Sequence, residues 1–257
     1  MKTKKQSAAI IMAAGKGTRM KDPSKAKVMY EILGKPMVHY VVDLAFGLGM
    51  DRVLVVVGYQ RETVSSYLAK SHPRVEIVVQ AEQLGTGHAV LQAKDALQGF
   101  DGHVIVLSGD VPLLTRGSMD ELIKHHGNTS AGATILTAEM PDPAGYGRIL
   151  RNADGSVRKI VEHRDATPEE LKVSEINSGI YVFEIDRLFE GLEHINPHNV
   201  QHEYYLTDVF EYFWKNNLKV SALKASNLDE IRGINTFDQL EEARGLMETR
   251  LSSESLS

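Results

Sequence analysis

The chain of 257 residues carries 42% hydrophobic and 25% charged residues, ordinary values for a globular protein large enough to bury a sizeable core. Its formal net charge of −5 gives no electrostatic case for a nucleic-acid surface, and the lack of cysteine excludes disulfides, thiol catalysis and cysteine-ligated metals. No apolar run approaches the roughly 20 residues of a membrane helix, and Lys2 to Ser7 is too polar to lead a secretory signal. The expectation is a soluble, cytoplasmic protein with neither nucleic acid nor membrane as partner.

The apolar run Ala8 to Met12 reads as a buried first strand. It opens into MAAGKGTRM, residues 12–20, where Gly15 and Gly17 present backbone N–H groups with no Cβ in the way. With Lys16 and Arg19 beside them, these donors suit a chain of phosphates; a tight glycine turn is the plainer alternative. The spacing is neither that of the Rossmann fingerprint nor that of the P-loop. Lys16 to Lys27 reads as a positive rim around such a site, and Lys2, Lys4 and Lys5 as a solvated tail.

Further on, apolar β-branched runs at Arg52–Val57, Val75–Val79, His103–Leu107 and Ala133–Thr137 predict strands. Helical patterns at Met37–Leu48, Glu62–Lys70, His88–Leu97 and Ser118–His126 separate them, with Ser118 and Glu121 as a capping box for the last. This alternation predicts an α/β fold with a largely parallel sheet covered on both faces. In the second half, extended pieces at Arg148–Arg151, Val157–Val161 and Ile180–Phe183 suggest a smaller mixed or antiparallel portion. Helices near Asp186–Leu192, Thr207–Asn216 and Thr236–Leu251 surround it, Thr236 and Gln239 forming a capping pair. No linker or hexapeptide repeat interrupts the pattern, so a single domain with a substrate-binding subregion and a frayed tail, Ser252 to Ser257, is expected.

Ligands of an open parallel sheet bind beyond the carboxyl ends of its strands. There, Ser108, Gly109 and Asp110 follow the strand His103–Leu107, and Asp110 suits Mg²⁺ or serves as a turn former. In QAEQLGTGHA, residues 80–89, Gln80 offers an amide able to read a base edge. Gly85, Thr86 and Gly87 put backbone donors ahead of a helix, and His88 reads as a helix-start residue without a catalytic part. Lys27 is either a phosphate contact or a solvated lysine. Gly147 in PAGYGRI, Glu162 in VEHRDAT, Asn177 in EINSGIYVF and Asn235 in GINTFDQL each stand beside a strand or at a helix start.

Taken in order, MAAGKGTRM, Lys27-Val28, QAEQLGTGHA, Gly109-Asp110, GYGRI, VEH, Asn177-Ser178-Gly179, EYYLTD and Asn235 resemble the N-acetylglucosamine-1-phosphate uridyltransferase (UDP-N-acetylglucosamine pyrophosphorylase) family, over roughly residues 8 to 245. The resemblance implies a Rossmann-like nucleotidyltransferase fold, with a mostly parallel mixed central sheet flanked by helices and a smaller sugar-binding subregion. It divides the chain into a nucleotide-binding part, about residues 8–130, and a sugar-binding part, about 131–245. It implies transfer of UMP from UTP to N-acetylglucosamine 1-phosphate, with pyrophosphate as product. Carried over, Ala13, Ala14, Gly15, Gly17 and Thr18 contact the nucleotide, Gln80, Gly85 and Thr86 read uracil, and Ser108 and Gly109 line the substrate site. Gly147, Glu162 and Asn177 hold the sugar, Asp110 and Asn235 ligate Mg²⁺, and Arg19 and Lys27 neutralise phosphate charge as the catalytic cations.

Nucleotidyl transfer needs in-line positioning and compensation of phosphate charge. A sugar phosphate is already anionic, so no general base is expected and Glu162 should accept a sugar hydroxyl. Three departures from the family pattern stand out: Ala26 where proline is common, loosening the approach to Lys27; Ser108 where a larger residue is usual; and His202 where glycine is usual. The chain also ends before the β-helix of bifunctional relatives, so neither acetyltransferase activity nor the trimer built by that domain is expected. Other sugar 1-phosphates (glucose or N-acetylgalactosamine), other nucleotides (dTTP or CTP) and a non-catalytic nucleotide-sugar binder are the alternatives.

Overall fold

The computed structural model describes residues 6–254; Lys2, Lys4 and Lys5 of the expected tail lie outside the described residues. The first strand, β1 (Gln6–Ala13), is followed by short 3-10 turns and a two-residue hairpin, β2 (Glu31–Ile32) and β3 (Lys35–Pro36). Then come α1 (Met37–Gly47), β4 (Arg52–Val57), α2 (Arg61–Ser71), β5 (Glu76–Val79), α3 (Thr86–Leu91), β6 (Gly102–Ser108), α4 (Arg116–Thr129) and β7 (Ala133–Glu139). The second half adds β8 (Arg148–Arg151), β9 (Val157–Val161), β10 (Glu175–Glu184), α5 (Ile185–Leu192), α6 (Val209–Lys215), β11 (Val220–Lys224) and α7 (Phe237–Glu254).

The main sheet runs β11-β7-β10-β6-β1-β4-β5, with β8 paired to β10 and β9 to β8. Strands β6, β1, β4 and β5 pair in parallel, as do β11 and β7, while β10 is antiparallel to both β6 and β7. The runs RVLVVV in β4 and HVIVL in β6 are buried because helices cover both faces, as their near-continuous apolar character requires. From β1 the chain passes to the β4 side, and later returns to β6 on the other flank of β1. The carboxyl ends of β1 and β6 therefore form a topological switch point, where a crevice opens. Two large apolar clusters fill the faces, centred on Ile11, Val55 and Leu107 on one and Ile10, Val106 and Phe183 on the other.

Several elements differ from the sequence reading. Ile180–Phe183 is not in a peripheral portion: it belongs to β10 in the middle of the main sheet, because this run is apolar enough to be buried on both faces. The helix expected at His88–Leu97 keeps its α form only to Leu91 and continues as turns. The capping box at Ser118 is replaced by Thr115, whose hydroxyl accepts from Ser118 N–H, so α4 starts earlier and the Ser118 hydroxyl instead donates to Glu230. Strand β11 carries no prediction. By contrast, Thr236 and Gln239 cap reciprocally: Gln239 N–H donates to Thr236 Oγ1, and Thr236 N–H to Gln239 Oε1. Helix α7 runs on through Ser252 to Glu254, where a frayed tail was expected; residues 255–257 lie outside the described residues.

A third, smaller cluster decides where the last helix goes. Leu240, Ala243 and Met247 of α7, with Ile234 before it, pack on Met20, Tyr30, Ile32 and Leu113. The ring of Phe237 meets that of Tyr30 edge-on, and the Arg244 guanidinium donates to the carbonyl of Glu31. This apolar contact returns the C-terminal segment to the loop that follows β1.

Candidate active site

At the switch point lies a cleft of about 450 Å³, lined by Ala13, Ala14, Gly15, Gly17, Thr18, Lys27, Gln80, Gly85, Thr86, Ser108 and Asp110. The glycine loop takes its shape from two contacts. Gly17 adopts φ +61°, and a Cβ there would stand 2.5 Å from Cβ of Lys27, so the absent side chain is what lets Lys27 cross the loop. The Ala14 carbonyl accepts from Tyr59 N–H at 3.0 Å, tying the loop to the end of β4. Gly109, behind the cleft, donates its N–H to Met12 O at 2.9 Å and so locks the end of β6 to that of β1.

The charged centre is a three-residue knot. Lys27 Nζ donates to Asp110 Oδ2 and, at 2.9 Å, to Asn235 Oδ1. Ser108 Oγ donates to Asp110 Oδ1 at 2.6 Å, and Ile234 N–H to the Asp110 carbonyl at 2.9 Å. Burial alone would raise the Asp110 carboxyl, but Lys27 and the Ser108 hydroxyl hold it below the usual carboxylate range. Asn235 is itself positioned: its N–H donates to Gln239 Oε1 at 2.7 Å and its Nδ2 to the Gly233 carbonyl. Two oxygen donors thus converge on one cationic point.

Arg19 is exposed and stands outside the residues lining the cleft, with no hydrogen bond or ion pair to a described residue. Its charge and that of Asp110 both act on the Tyr146 hydroxyl, which burial raises most, so the two share a neighbour. The loop before Lys27 is tied rather than loose. Ala26 N–H, which a proline would lack, donates to Gln60 Oε1 at 2.9 Å, while Gln60 Nε2 and Tyr59 Oη both donate to Pro23 O. His202 sits at φ +53°, a left-handed conformation that accounts for glycine suiting this position.

The uracil-reading expectation meets a more specific arrangement. Gln80 is buried, and its Nε2 donates to the Gly85 carbonyl at 3.1 Å and toward His88 Nδ1 at 3.0 Å. The carbonyl partner fixes the amide orientation, so Oε1 is the atom left to face the cleft. His88, read as a residue without a part, therefore positions Gln80; no local sequence signal links two side chains eight residues apart across a turn. The Thr86 hydroxyl accepts from Leu206 N–H at 3.0 Å and so pins the EYYLTD segment at the edge of the cleft that Thr86 lines. A Cβ at Gly85 (φ +116°) would stand 2.5 Å from the Tyr204 carbonyl, and Gly87 N–H donates to that same carbonyl. The two motifs pack directly against each other. Lys16, read as part of the positive rim, also lines the cleft, as do Gln83 and Glu203, neither of them singled out from the sequence.

Gly147, Glu162 and Asn177 form a second cluster outside that lining. A Cβ at Gly147 would lie 3.5 Å from both Asn177 Cβ and Glu162 Oε1, and Asn177 N–H donates to the Gly147 carbonyl. Asn177 Nδ2 donates to Tyr181 Oη at 2.7 Å, and Thr207 Oγ1 to Glu162 Oε1 at 3.1 Å. Burial, aided by Asp165, raises the Glu162 carboxyl. Asp208 beside it is pushed up to about 7 by burial and by Glu211, Glu162 and Asp165.

Comparison with known proteins agrees with this geometry. A family model described as nucleotidyl transferase matches residues 8–229. Proteins named "Bifunctional protein GlmU" from Halalkalibacterium halodurans and Geobacillus sp. are 46% and 47% identical over 244 and 243 residues. Each alignment covers 95% of this chain but 53% and 52% of the relative, so the chain spans about half the length of the curated relatives it matches. A crystal structure of UDP-glucose pyrophosphorylase complexed with UDP-glucose superposes with TM-score 0.77 at 20% identity, covering 95% of this chain and 99% of that one, a likeness of fold. The chain belongs to the nucleotidyl transferase family.

Proposed function

We propose that this chain transfers UMP from UTP to N-acetylglucosamine 1-phosphate, giving UDP-N-acetylglucosamine and pyrophosphate. The observation that carries the reading is the Lys27 ammonium, held between Asp110 and Asn235 at the mouth of a glycine-lined cleft. A phosphate oxygen of the sugar phosphate attacks the α-phosphorus of UTP. One P–O bond forms there while the bond to the bridging oxygen breaks, and pyrophosphate leaves with the electron pair. Backbone N–H groups of the Ala13–Thr18 loop cradle the triphosphate, and Lys27 with Arg19 offsets charge on the departing group. Gln80 presents Oε1 to the base, and the cluster of Gly147, Glu162 and Asn177 receives the sugar.

The converging oxygens of Asp110 and Asn235 fit Mg²⁺, which takes one or two protein oxygens and completes its shell with phosphate and water. When bound, the ion supplies Lewis-acid charge on the phosphates. Lys27 pairs with both of these oxygens, which keeps the buried carboxylate ionised. UTP as substrate fits a cytoplasmic location. The GlmU relatives and the UDP-glucose complex both support a nucleotide-sugar reaction, and the complex makes glucose 1-phosphate the competing acceptor.

The test is pyrophosphate release from a panel of sugar 1-phosphates and nucleoside triphosphates with Mg²⁺. N-acetylglucosamine 1-phosphate with UTP should give the highest kcat/KM. A better acceptor would replace the sugar assignment; no release from any pair would end the enzymatic reading.

A further inference from the structure

A second ionisable cluster lies on the helical layer, and none of its members lines the cleft. His39 and Asp43 are one turn apart on α1, and His72 terminates α2. His39 Nε2 stands 3.1 Å from Asp43 Oδ2, and His72 Nε2 stands 3.0 Å from Asp43 Oδ1. The three ligand atoms lie within 4.8 Å of one another. Both imidazoles are oriented from behind: Tyr67 Oη is 2.8 Å from His39 Nδ1, and Ser71 Oγ is 2.8 Å from His72 Nδ1.

The proton inventory of this cluster is informative. The single hydroxyl proton of Ser71 goes to the Tyr67 carbonyl at 2.9 Å, so toward His72 the Ser71 oxygen can only accept. His72 Nδ1 therefore carries a proton. In a neutral imidazole the other nitrogen, Nε2, then aims its lone pair at a carboxylate oxygen 3.0 Å away. Two facing lone pairs repel, and either a second proton or a metal ion between them removes the conflict. Burial lowers the His39 imidazole most, outweighing Asp43.

We propose that His39, Asp43 and His72 form a site for one divalent transition ion of borderline softness, with Zn²⁺ the best fit, and that this ion ties α1 to α2. Two imidazole nitrogens and one carboxylate oxygen suit Zn²⁺. Bonds of about 2.0 Å in a tetrahedron place donors about 3.3 Å apart. Each imidazole nitrogen stands within a few tenths of an ångström of that from its own nearer Asp43 oxygen, and the set of one atom per residue lies within 4.8 Å. Asp43 is the exposed member, its side chain 54% accessible, so the fourth position opens to water. Tyr67 and Ser71 take the place that hydrogen-bond partners of ligating histidines usually hold. Besides the partner imidazole of His72, Lys35 is the basic side chain that acts on His39, and it opposes the ion as a further cation.

The test is calorimetric titration of the metal-stripped full chain with Zn²⁺, with Mg²⁺ in excess to occupy the cleft. One Zn²⁺ per chain should bind and raise the melting temperature. Asp110→Asn should keep that binding, whereas His72→Ala, His72→Gln and Asp43→Asn should lose it. Tyr67→Phe should weaken it by about tenfold to a hundredfold. With Co²⁺ as probe, the ligand-field spectrum should be that of a four-coordinate nitrogen–oxygen site. His72→Gln, which keeps an amide in place of the ring, separates loss of metal from loss of fold by its circular dichroism. All His72 variants should release pyrophosphate as the parent chain does in Mg²⁺. No saturable Zn²⁺ uptake, uptake that survives His72→Gln and Asp43→Asn, or uptake abolished by Asp110→Asn would each overturn the proposal.

Discussion

The two halves of the cleft region handle charge in opposite ways. Around Asp110, a carboxylate, an ammonium and an amide are matched one to another, and the carboxyl is held low. Around Glu162, carboxyls crowd together: Glu162 is raised, and Asp208 is pushed up to about 7. A matched knot of charges can exchange partners with a polyanion and a cation at small cost. A crowded acidic wall repels phosphate and leaves its oxygens to accept hydroxyl protons. This difference is what supports the proposed placing of the phosphates on one side and the sugar on the other.

That contrast can be broken most directly at Asp110. Asp110→Asn should lower kcat for pyrophosphate release by about 10²–10³-fold while leaving KM for the sugar phosphate nearly unchanged. A rise in that KM with kcat intact would reverse the division of labour. Next in size, Gly17→Ala should destabilise the fold by about 1–2 kcal/mol in urea denaturation, through its left-handed backbone and the clash with Lys27, and should lower kcat as Lys27 is displaced. On the acidic side, Glu162→Gln should raise KM for the sugar phosphate about tenfold, the worth of one hydrogen bond to a charged acceptor, with KM for UTP unaffected. Steady-state kinetics with each substrate varied in turn checks both assignments.

The crowded wall should also announce itself in the pH dependence of stability. Above the ordinary carboxyl range the unfolded chain has lost the Asp208 proton, whereas the folded chain keeps it until about pH 7. Stability contributed by this group therefore declines as pH rises through that window and levels off above it. Asp208→Asn should flatten the decline, seen as a smaller difference between urea midpoints at about pH 5 and about pH 8. The smallest effect should come from Ala26→Pro. Ala26 already holds φ −60°, so the ring fits, but the hydrogen bond to Gln60 is lost. The two terms nearly cancel, leaving a change within about 1 kcal/mol.

How much of this was legible in the sequence depended on range. The glycine loop, the strand-end Asp110 and most strands could be read because their causes are local: positive φ, β-branched runs and turn chemistry. The capping pair Thr236–Gln239 was legible for the same reason. Ile180–Phe183 was a visible strand, but its place between β6 and β7 depends on partners far along the chain. Strand β11 escaped because Ser221 and Lys224 dilute its apolar pattern and its residues are only half-buried at the sheet edge. In the site, the meeting of Lys27 with Asn235 spans 208 residues, and no spacing rule reaches that far. Thr86 is expected as a nucleotide contact and His88 as a helix-start residue; only packing shows that one also pins a distant segment and the other holds Gln80.

The docking of α7 carries one further consequence, for biosynthesis. Asn235 is held in register by Gln239 and by a helix whose apolar anchors extend to Met247. A ribosome that has completed every strand has still not delivered those anchors, so the nascent sheet stands with Lys27 answered by Asp110 alone. On the proposed reading, competence for chemistry therefore arrives only once α7 has left the exit tunnel and docked.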